Sequence, residues 1–238
     1  MLDFLEKGSF VASDNVVFFV TISSVIATSI VAYYFFRFYR ISGIGHFLGI
    51  PAGFTFLSAS HALFATGLWI ENTRLSNLVT WMWLITLSYS FSLIAMSYYY
   101  RSAEFNDRTK LIRTMSYAAM PVLGLLLAIE AMSLEQWLIS FKVLDEYFTG
   151  FNLVALGYII IQCVTAIKTG GNPKSYYIPA GFILLWIAQF SILSGALFDN
   201  ASTIVLSAFA NLAGPTLIIY ALHRSVLRRG NIAKATKT

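Results

Sequence analysis

A small set of polar and aromatic residues lies inside long apolar stretches of this sequence. Imidazole, amide, hydroxyl and indole groups can bind a small neutral molecule when they line an otherwise apolar pocket. Buried polar groups are costly in hydrocarbon, so the few that are present are the first functional candidates. The candidate ligand-binding residues are His61, Gln189, Asn211, Trp83, Thr86 and Ser58.

The spacing of these candidates places several of them on shared helix faces or at similar depths. His61 and Gln189 occupy equivalent positions of two similar segments, and Trp83 and Thr86 share one helix face. Hydrogen bonds between helices explain the same residues without a ligand. For His61 we favour that structural interpretation, and for Asn211, Trp83 and Thr86 both interpretations stay open.

The sequence lacks the patterns of common catalytic and metal sites. It contains no His-Glu-x-x-His, no Gly-x-Ser-x-Gly and no phosphate-binding loop. Its three histidines are predicted at different places, and the single cysteine, Cys163, excludes a cysteine cluster. Carboxylates avoid the middle of the apolar stretches, which argues against pumping through a carboxylate relay. We therefore expect a non-enzymatic protein without a cofactor or a metal.

The composition predicts that these residues lie within a membrane. Hydrophobic residues make up 58% of the chain and charged residues only 11%, and the mean hydropathy is +0.71. A soluble domain carries about 25% charged residues. The net charge of +5 comes from short basic clusters between apolar runs, as in the loops of membrane proteins. We expect a multi-pass protein of the cell membrane with lipids, and not nucleic acid, as its partners.

Seven apolar runs approach the length of about 20 residues that a membrane-spanning helix requires. The predicted spans one to seven are Val16–Phe36, Phe47–Ile70, Leu75–Tyr100, Leu111–Met132, Tyr147–Ile167, Tyr176–Leu197 and Thr203–His223. Most basic residues follow spans one, three, five and seven. By the positive-inside rule, this all-α bundle has its N-terminus outside and its C-terminus in the cytoplasm.

An internal repeat divides the spans into three plus one plus three. Ile-Pro-Ala-Gly-Phe occurs at Ile50–Phe54 and again at Ile178–Phe182. Extended without gaps, this register superimposes spans one to three on spans five to seven. Because three helices invert the topology, span four is needed as a linker between parallel repeats. We predict one transmembrane domain, with repeat one at about 16–100, the linker helix at about 111–132, repeat two at about 147–223 and a basic cytoplasmic tail at 224–238.

This layout resembles two groups of membrane proteins. The seven helices, the external N-terminus and Pro51-Ala52-Gly53-Phe54 at the start of the second helix are similar to the microbial rhodopsins. In that family a lysine of the seventh helix holds retinal, and Thr203–His223 contains no lysine, so we expect no retinal Schiff base. The repeat order also looks like that of the SWEET sugar facilitators, although alanine and not glutamine follows Pro51 and Pro179.

Two functions agree with these features. The first is a sensor, a receptor-like protein or an interaction subunit, with a small-molecule or lipophilic ligand between the repeats. Its protein partner would be another membrane protein or a second copy of the chain. The alternative is a SWEET-like facilitator, whose halves rock around a small neutral solute. A polar pathway open to both surfaces would favour transport, whereas a fully packed centre would favour the receptor or subunit.

Overall fold

The computed structural model describes residues 11–42, 48–70, 73–102, 141–169, 176–198 and 202–235. The helices in these ranges are α1 Val11–Ser42, α2 Gly49–Gly67, α3 Thr73–Ser102, α4 Phe141–Lys168, α5 Tyr177–Phe198 and α6 Ser202–Ala235. They correspond to predicted spans one, two, three, five, six and seven. Span four, predicted at Leu111–Met132, lies outside the described residues, so the total of seven spans stays a prediction.

Five of the six described helices are long and apolar enough to cross a membrane. Their apolar segments are Asn15–Ile41, Leu78–Tyr99, Glu146–Lys168, Tyr177–Gly195 and Ser202–Arg224. These segments are close to the length of about 20 residues that matches the hydrocarbon core. The prediction of an all-α protein with several membrane-length apolar helices is therefore confirmed.

The remaining helix, α2, is shorter than its neighbours and is not among the helices that are long and apolar enough to cross a membrane. Its 19 residues include Ser58, Ser60 and His61, which lower its hydropathy, and all three of these side chains are buried. Protein atoms rather than lipid therefore surround the polar side of α2. Predicted span two therefore forms a helix whose polar side chains are buried against neighbouring helices.

Several helices extend beyond the predicted spans. α4 begins at Phe141, six residues before the start of predicted span five, and α6 continues to Ala235 through most of the predicted basic tail. Pro215 lies inside α6 without ending it, as membrane helices tolerate where neighbouring groups compensate the lost hydrogen bond. Hydropathy marks the apolar part of each helix, whereas the backbone hydrogen bonds continue past it.

The six described helices form a closed ring in chain order. α1 packs on α2, α2 on α3, α3 on α4, α4 on α5 and α5 on α6, and α6 returns to α1. In such a ring α2 and α5 occupy opposite positions. Side chains that point inwards from α2 and α5 therefore face each other across the centre.

Apolar side chains from all six described helices fill this centre. The aromatic rings of Phe54 on α2 and Phe182 on α5 lie in contact, with centroids 6.0 Å apart. Both side chains are fully buried in one apolar cluster. The cluster also contains Val31, Leu57, Phe91, Leu156, Leu185 and Ile218. The contact between Phe54 and Phe182 thus joins opposite helices of the ring.

Gly53 allows α2 to approach α3 closely. A Cβ atom at this position would lie 2.5 Å from Ile94 Cγ1 and 2.7 Å from the backbone oxygen of Ser90. Real Cβ atoms do not approach a backbone oxygen this closely, so a side chain would force the two helices apart. Small residues at helix crossings have this role in many membrane proteins.

Gly181 allows the same approach of α5 to α6. A Cβ atom there would lie 2.5 Å from Ile218 Cγ1 and 2.7 Å from the backbone oxygen of Gly214. The two crossings therefore have the same geometry, with a glycine against an isoleucine and a backbone carbonyl.

Replacing Gly53 or Gly181 by alanine should destabilise the protein. The new Cβ would clash with a backbone carbonyl that cannot rotate away, and such overpacking costs about 1–3 kcal/mol. Thermal unfolding of the purified protein in detergent measures the effect. Gly157→Ala is the matched control, because nothing lies within 4 Å of a Cβ at that position. Equal melting temperatures for Gly53→Ala and Gly157→Ala would contradict the close crossing.

Candidate functional site

His61 and Gln189 lie on the sides of α2 and α5 that face each other. His61 follows Phe54 by seven residues, and Gln189 follows Phe182 by seven. Seven residues are almost two complete turns of a helix. His61 therefore lies on the same face of α2 as Phe54, and Gln189 lies on the same face of α5 as Phe182. Both polar residues therefore lie about 10 Å along their helices from the aromatic contact. His61 is 4% exposed and Gln189 is 1% exposed.

Asn152 of α4 adds a second amide to this layer. Its Nδ2 donates a hydrogen bond to Gln189 Oε1 at 3.2 Å, and the Asn152 side chain is fully buried. The bond joins α4 to α5 within the second half of the ring. The sequence analysis did not select Asn152, although an asparagine within a predicted span is a signal that could have identified it.

Three buried atoms of this layer have no hydrogen-bond partner among the described residues. They are His61 Nε2, Asn152 Oδ1 and Gln189 Nε2. A buried polar atom without a partner costs about 1–3 kcal/mol. Most buried polar side chains in proteins are paired with protein groups or with bound molecules. The layer can therefore bind a molecule that supplies the missing partners.

Ser58 has a structural role in this arrangement. Its hydroxyl group lies 2.8 Å from Ser29 Oγ and donates to the backbone oxygen of Val25 at 3.1 Å. These bonds join α1 to α2, as expected for polar contacts between membrane helices. Its hydrogen bonds are thus directed to α1 rather than to a central ligand.

The remaining candidates lie on α3 and α6. Trp83 is buried in the central apolar cluster, and its ring lies 5.1 Å from that of Phe64. Asn211 is half-buried and donates from Nδ2 to Ser207 Oγ at 3.4 Å, while its Oδ1 has no partner among the described residues. Thr86 is also half-buried. Of the six candidates, only His61 and Gln189 are on the facing sides of α2 and α5.

The described part of the interior carries polar groups without charged ones. Its buried polar side chains are serine, threonine, asparagine, glutamine and histidine. No group of three His, Cys, Asp or Glu residues that could hold a metal ion occurs within the described ranges. A site of this kind favours an uncharged ligand, because a buried charge without an opposite charge is strongly unfavourable.

Comparison with known proteins gives no match to a protein-family model, to a curated protein or to a solved structure. The helices and the buried polar layer are therefore the features of the molecule that bear on its function.

The hydrogen bond between Asn152 and Gln189 should couple the two residues energetically. We expect Asn152→Leu and Gln189→Leu each to destabilise the protein by about 1–3 kcal/mol, because each leaves an unpaired amide behind. The double variant should lose less than the sum, with a coupling energy of about 0.5–1.5 kcal/mol. Thermal unfolding of the four proteins in detergent measures this double-mutant cycle.

Ser97→Ala combined with Gln189→Leu is the control, and its effects should add, because Ser97 bonds to its own helix α3 and α3 does not pack on α5 within the described ranges. Additive effects in the cycle of Asn152 and Gln189 would show that the observed hydrogen bond contributes nothing to stability.

Proposed function

We propose that this chain is a receptor-like, non-enzymatic membrane protein that holds a small uncharged ligand between the two halves of its helix bundle. One observation carries the proposal, namely that His61, Asn152 and Gln189 present buried atoms at one level of the bundle that have no hydrogen-bond partner among the described residues. Apolar side chains cannot satisfy such atoms, whereas a ligand with hydrogen-bonding groups can.

The two halves, α1 to α3 and α4 to α6, are proposed to be copies of one three-helix unit. The matching neighbours of Gly53 and Gly181 support this duplication. Phe54 and Phe182 hold the same position in the repeated pentapeptide, and their contact supports a twofold axis that passes between them. The linker helix at Leu111–Met132 completes the proposed three-plus-one-plus-three order.

The number of positions that separates equivalent residues of the two units differs between the second helix and the third helix. Gly53 and Gly181 are 128 positions apart, whereas the equivalent neighbours Ile94 and Ile218 are 124 positions apart. The gapless register of the sequence therefore does not continue into α3 and α6. The difference is about one helical turn. It agrees with the longer start of α3, whose apolar segment begins five residues after Thr73.

The proposed orientation has the N-terminus outside and the C-terminus in the cytoplasm. α1 and α4 both carry a basic residue in their last turn, Arg40 and Lys168, which supports a cytoplasmic position for these ends. α2 would then begin near the cytoplasm. The polar layer would lie on the outer side of the contact between Phe54 and Phe182, which would separate the ligand from the cytoplasm.

The packed aromatic contact favours a receptor over a channel or a carrier. Phe54 and Phe182 are fully buried and leave no polar group between them. A signal would have to pass to a separate membrane protein or to a second copy of the chain. The basic helix ends would contact anionic lipid headgroups.

A SWEET-like facilitator for a small neutral solute is the second candidate. It is favoured by the arrangement of the halves, which meet where α1 packs on α6, where α3 packs on α4, and at the contact of Phe54 with Phe182. Two rigid halves that meet at such seams could rock around a central site.

The proposed orientation predicts which sites are open to the cell exterior. In a Cys163→Ser background, a membrane-impermeant thiol reagent added to intact cells should label Ser9→Cys but not Asn106→Cys or Thr236→Cys. After the membrane is permeabilised, all three cysteines should react. Labelling of Asn106→Cys or Thr236→Cys on intact cells would contradict the orientation.

Ligand binding and transport can be separated with the purified protein. A panel of uncharged metabolites should contain compounds that raise the melting temperature of the wild type, and less so that of His61→Leu or Gln189→Leu, because the ligand stabilises only the folded protein. Thr216→Ala is the control and should retain the shift, because this exposed side chain bonds to the backbone of its own helix.

The same compounds should not cross proteoliposomes faster than they cross empty liposomes. Rapid flux that His61→Leu abolishes would favour the facilitator instead. The binding proposal fails if no uncharged compound stabilises the wild type.

A further inference from the structure

We propose that the ligand of the buried polar layer carries an uncharged primary amide on a small apolar body. This inference rests on the proposed function, because it names the chemical class that the site at His61, Asn152 and Gln189 would bind. It follows from the number and type of hydrogen-bonding atoms that the layer leaves unpaired, and from the side chains that border them.

The amide pair leaves one donor atom and one acceptor atom without a partner among the described residues. Asn152 uses its Nδ2 and Gln189 its Oε1 in their common bond, so Asn152 Oδ1 remains as an acceptor and Gln189 Nε2 as a donor. If both amide groups were turned over, the bond would run in the opposite direction and one donor and one acceptor would still remain. The ligand must therefore both donate and accept.

His61 Nε2 is a third atom of the layer that has no partner within the described part of the chain. A primary amide has two N–H donors and a carbonyl oxygen with two lone pairs, and these groups lie on different atoms. It can accept from Gln189 and donate to Asn152, and it still has an N–H and a lone pair for the imidazole. A carboxylate would offer acceptors only and would bring a charge among buried residues that, within the described ranges, include no cation.

The side chains one helical turn away from the polar layer indicate the character of the ligand body that carries the amide. Leu57 precedes His61 by one turn and Leu185 precedes Gln189 by one turn, and both leucines are fully buried. Ala65 follows His61 by one turn, and its small side chain is also buried. The ligand body should therefore be apolar and small.

Four small probes test this class directly on the wild-type protein in detergent. Benzamide offers both donor and acceptor, N,N-dimethylbenzamide offers the acceptor alone, benzyl alcohol offers a hydroxyl, and benzoate is charged. Titration followed by melting temperature gives an apparent dissociation constant for each. We expect benzamide to bind about fivefold more tightly than each of the other uncharged probes, which is the usual effect of one neutral hydrogen bond. Benzoate should bind more weakly still, because its charge would be buried without an opposite charge.

Gln189→Met should remove most of this preference, because methionine keeps the length of the side chain but lacks the donor. Thr216→Ala is the matched control and should retain the preference, because this exposed side chain bonds to the backbone of its own helix. The probe series on the wild type keeps the test decisive even if Gln189→Met does not fold.

Equal binding of benzamide, its dimethyl analogue and benzyl alcohol would overturn the amide class while the proposed neutral-ligand site stands. Tightest binding of benzoate would overturn the neutral character of the site as well. If none of the three uncharged probes binds, while other uncharged metabolites stabilise the protein, only the amide inference is wrong. If no uncharged compound binds at all, the proposed function fails with it.

Discussion

The contact between Phe54 and Phe182 is the interaction on which the arrangement of the described helices depends. It joins two helices that lie opposite each other in the ring, and it buries both aromatic rings completely. The residue before each phenylalanine is a glycine, Gly53 or Gly181, at which the neighbouring helix packs closely. Adjacent residues of a helix point about 100° apart. In each Gly-Phe pair the glycine therefore faces the neighbouring helix, and the phenylalanine faces the centre of the ring.

Close packing at this level has a consequence for the next two turns of α2 and α5. The same faces continue outwards to His61 and Gln189, which therefore enter the bundle rather than the lipid. Their burial costs free energy unless partners are supplied. Asn152 supplies a hydrogen-bond donor to Gln189 Oε1 but no partner for Gln189 Nε2 or His61 Nε2. Apolar packing thus positions the polar layer, and the unpaired atoms of that layer are what a ligand would recognise.

Much of the fold could be predicted from the sequence, because hydropathy and the repeated pentapeptide are strong and local signals. The burial of His61 and Gln189 was also predictable from their equivalent positions. Asn152 was not selected, and the proposed repeat register pairs it with Ser24, a short side chain that bonds to its own helix. Side-chain pairing across helices requires the rotation of each helix, which hydropathy does not give.

The alignment of α3 with α6 was a second feature that the sequence did not predict. A gapless comparison assumes equal loop and helix lengths, whereas α3 is longer at its start than α6. Trp83 shares its predicted helix face with Thr86, yet the observed ring contact of Trp83 is with Phe64 of α2. Sequence periodicity identified the faces, and only tertiary packing determined what each face contacts.

Cross-linking between α2 and α5 tests the central claim most directly. In a Cys163→Ser background, Phe54→Cys and Phe182→Cys should be joined within one chain by a short bifunctional thiol reagent, as mass spectrometry of the monomer would show. The pair Phe54→Cys and Val154→Cys is the control, because Val154 is 74% exposed and should not be joined to the centre. Absence of the first cross-link, or equal yields for both pairs, would contradict a bundle in which α2 and α5 meet at its centre.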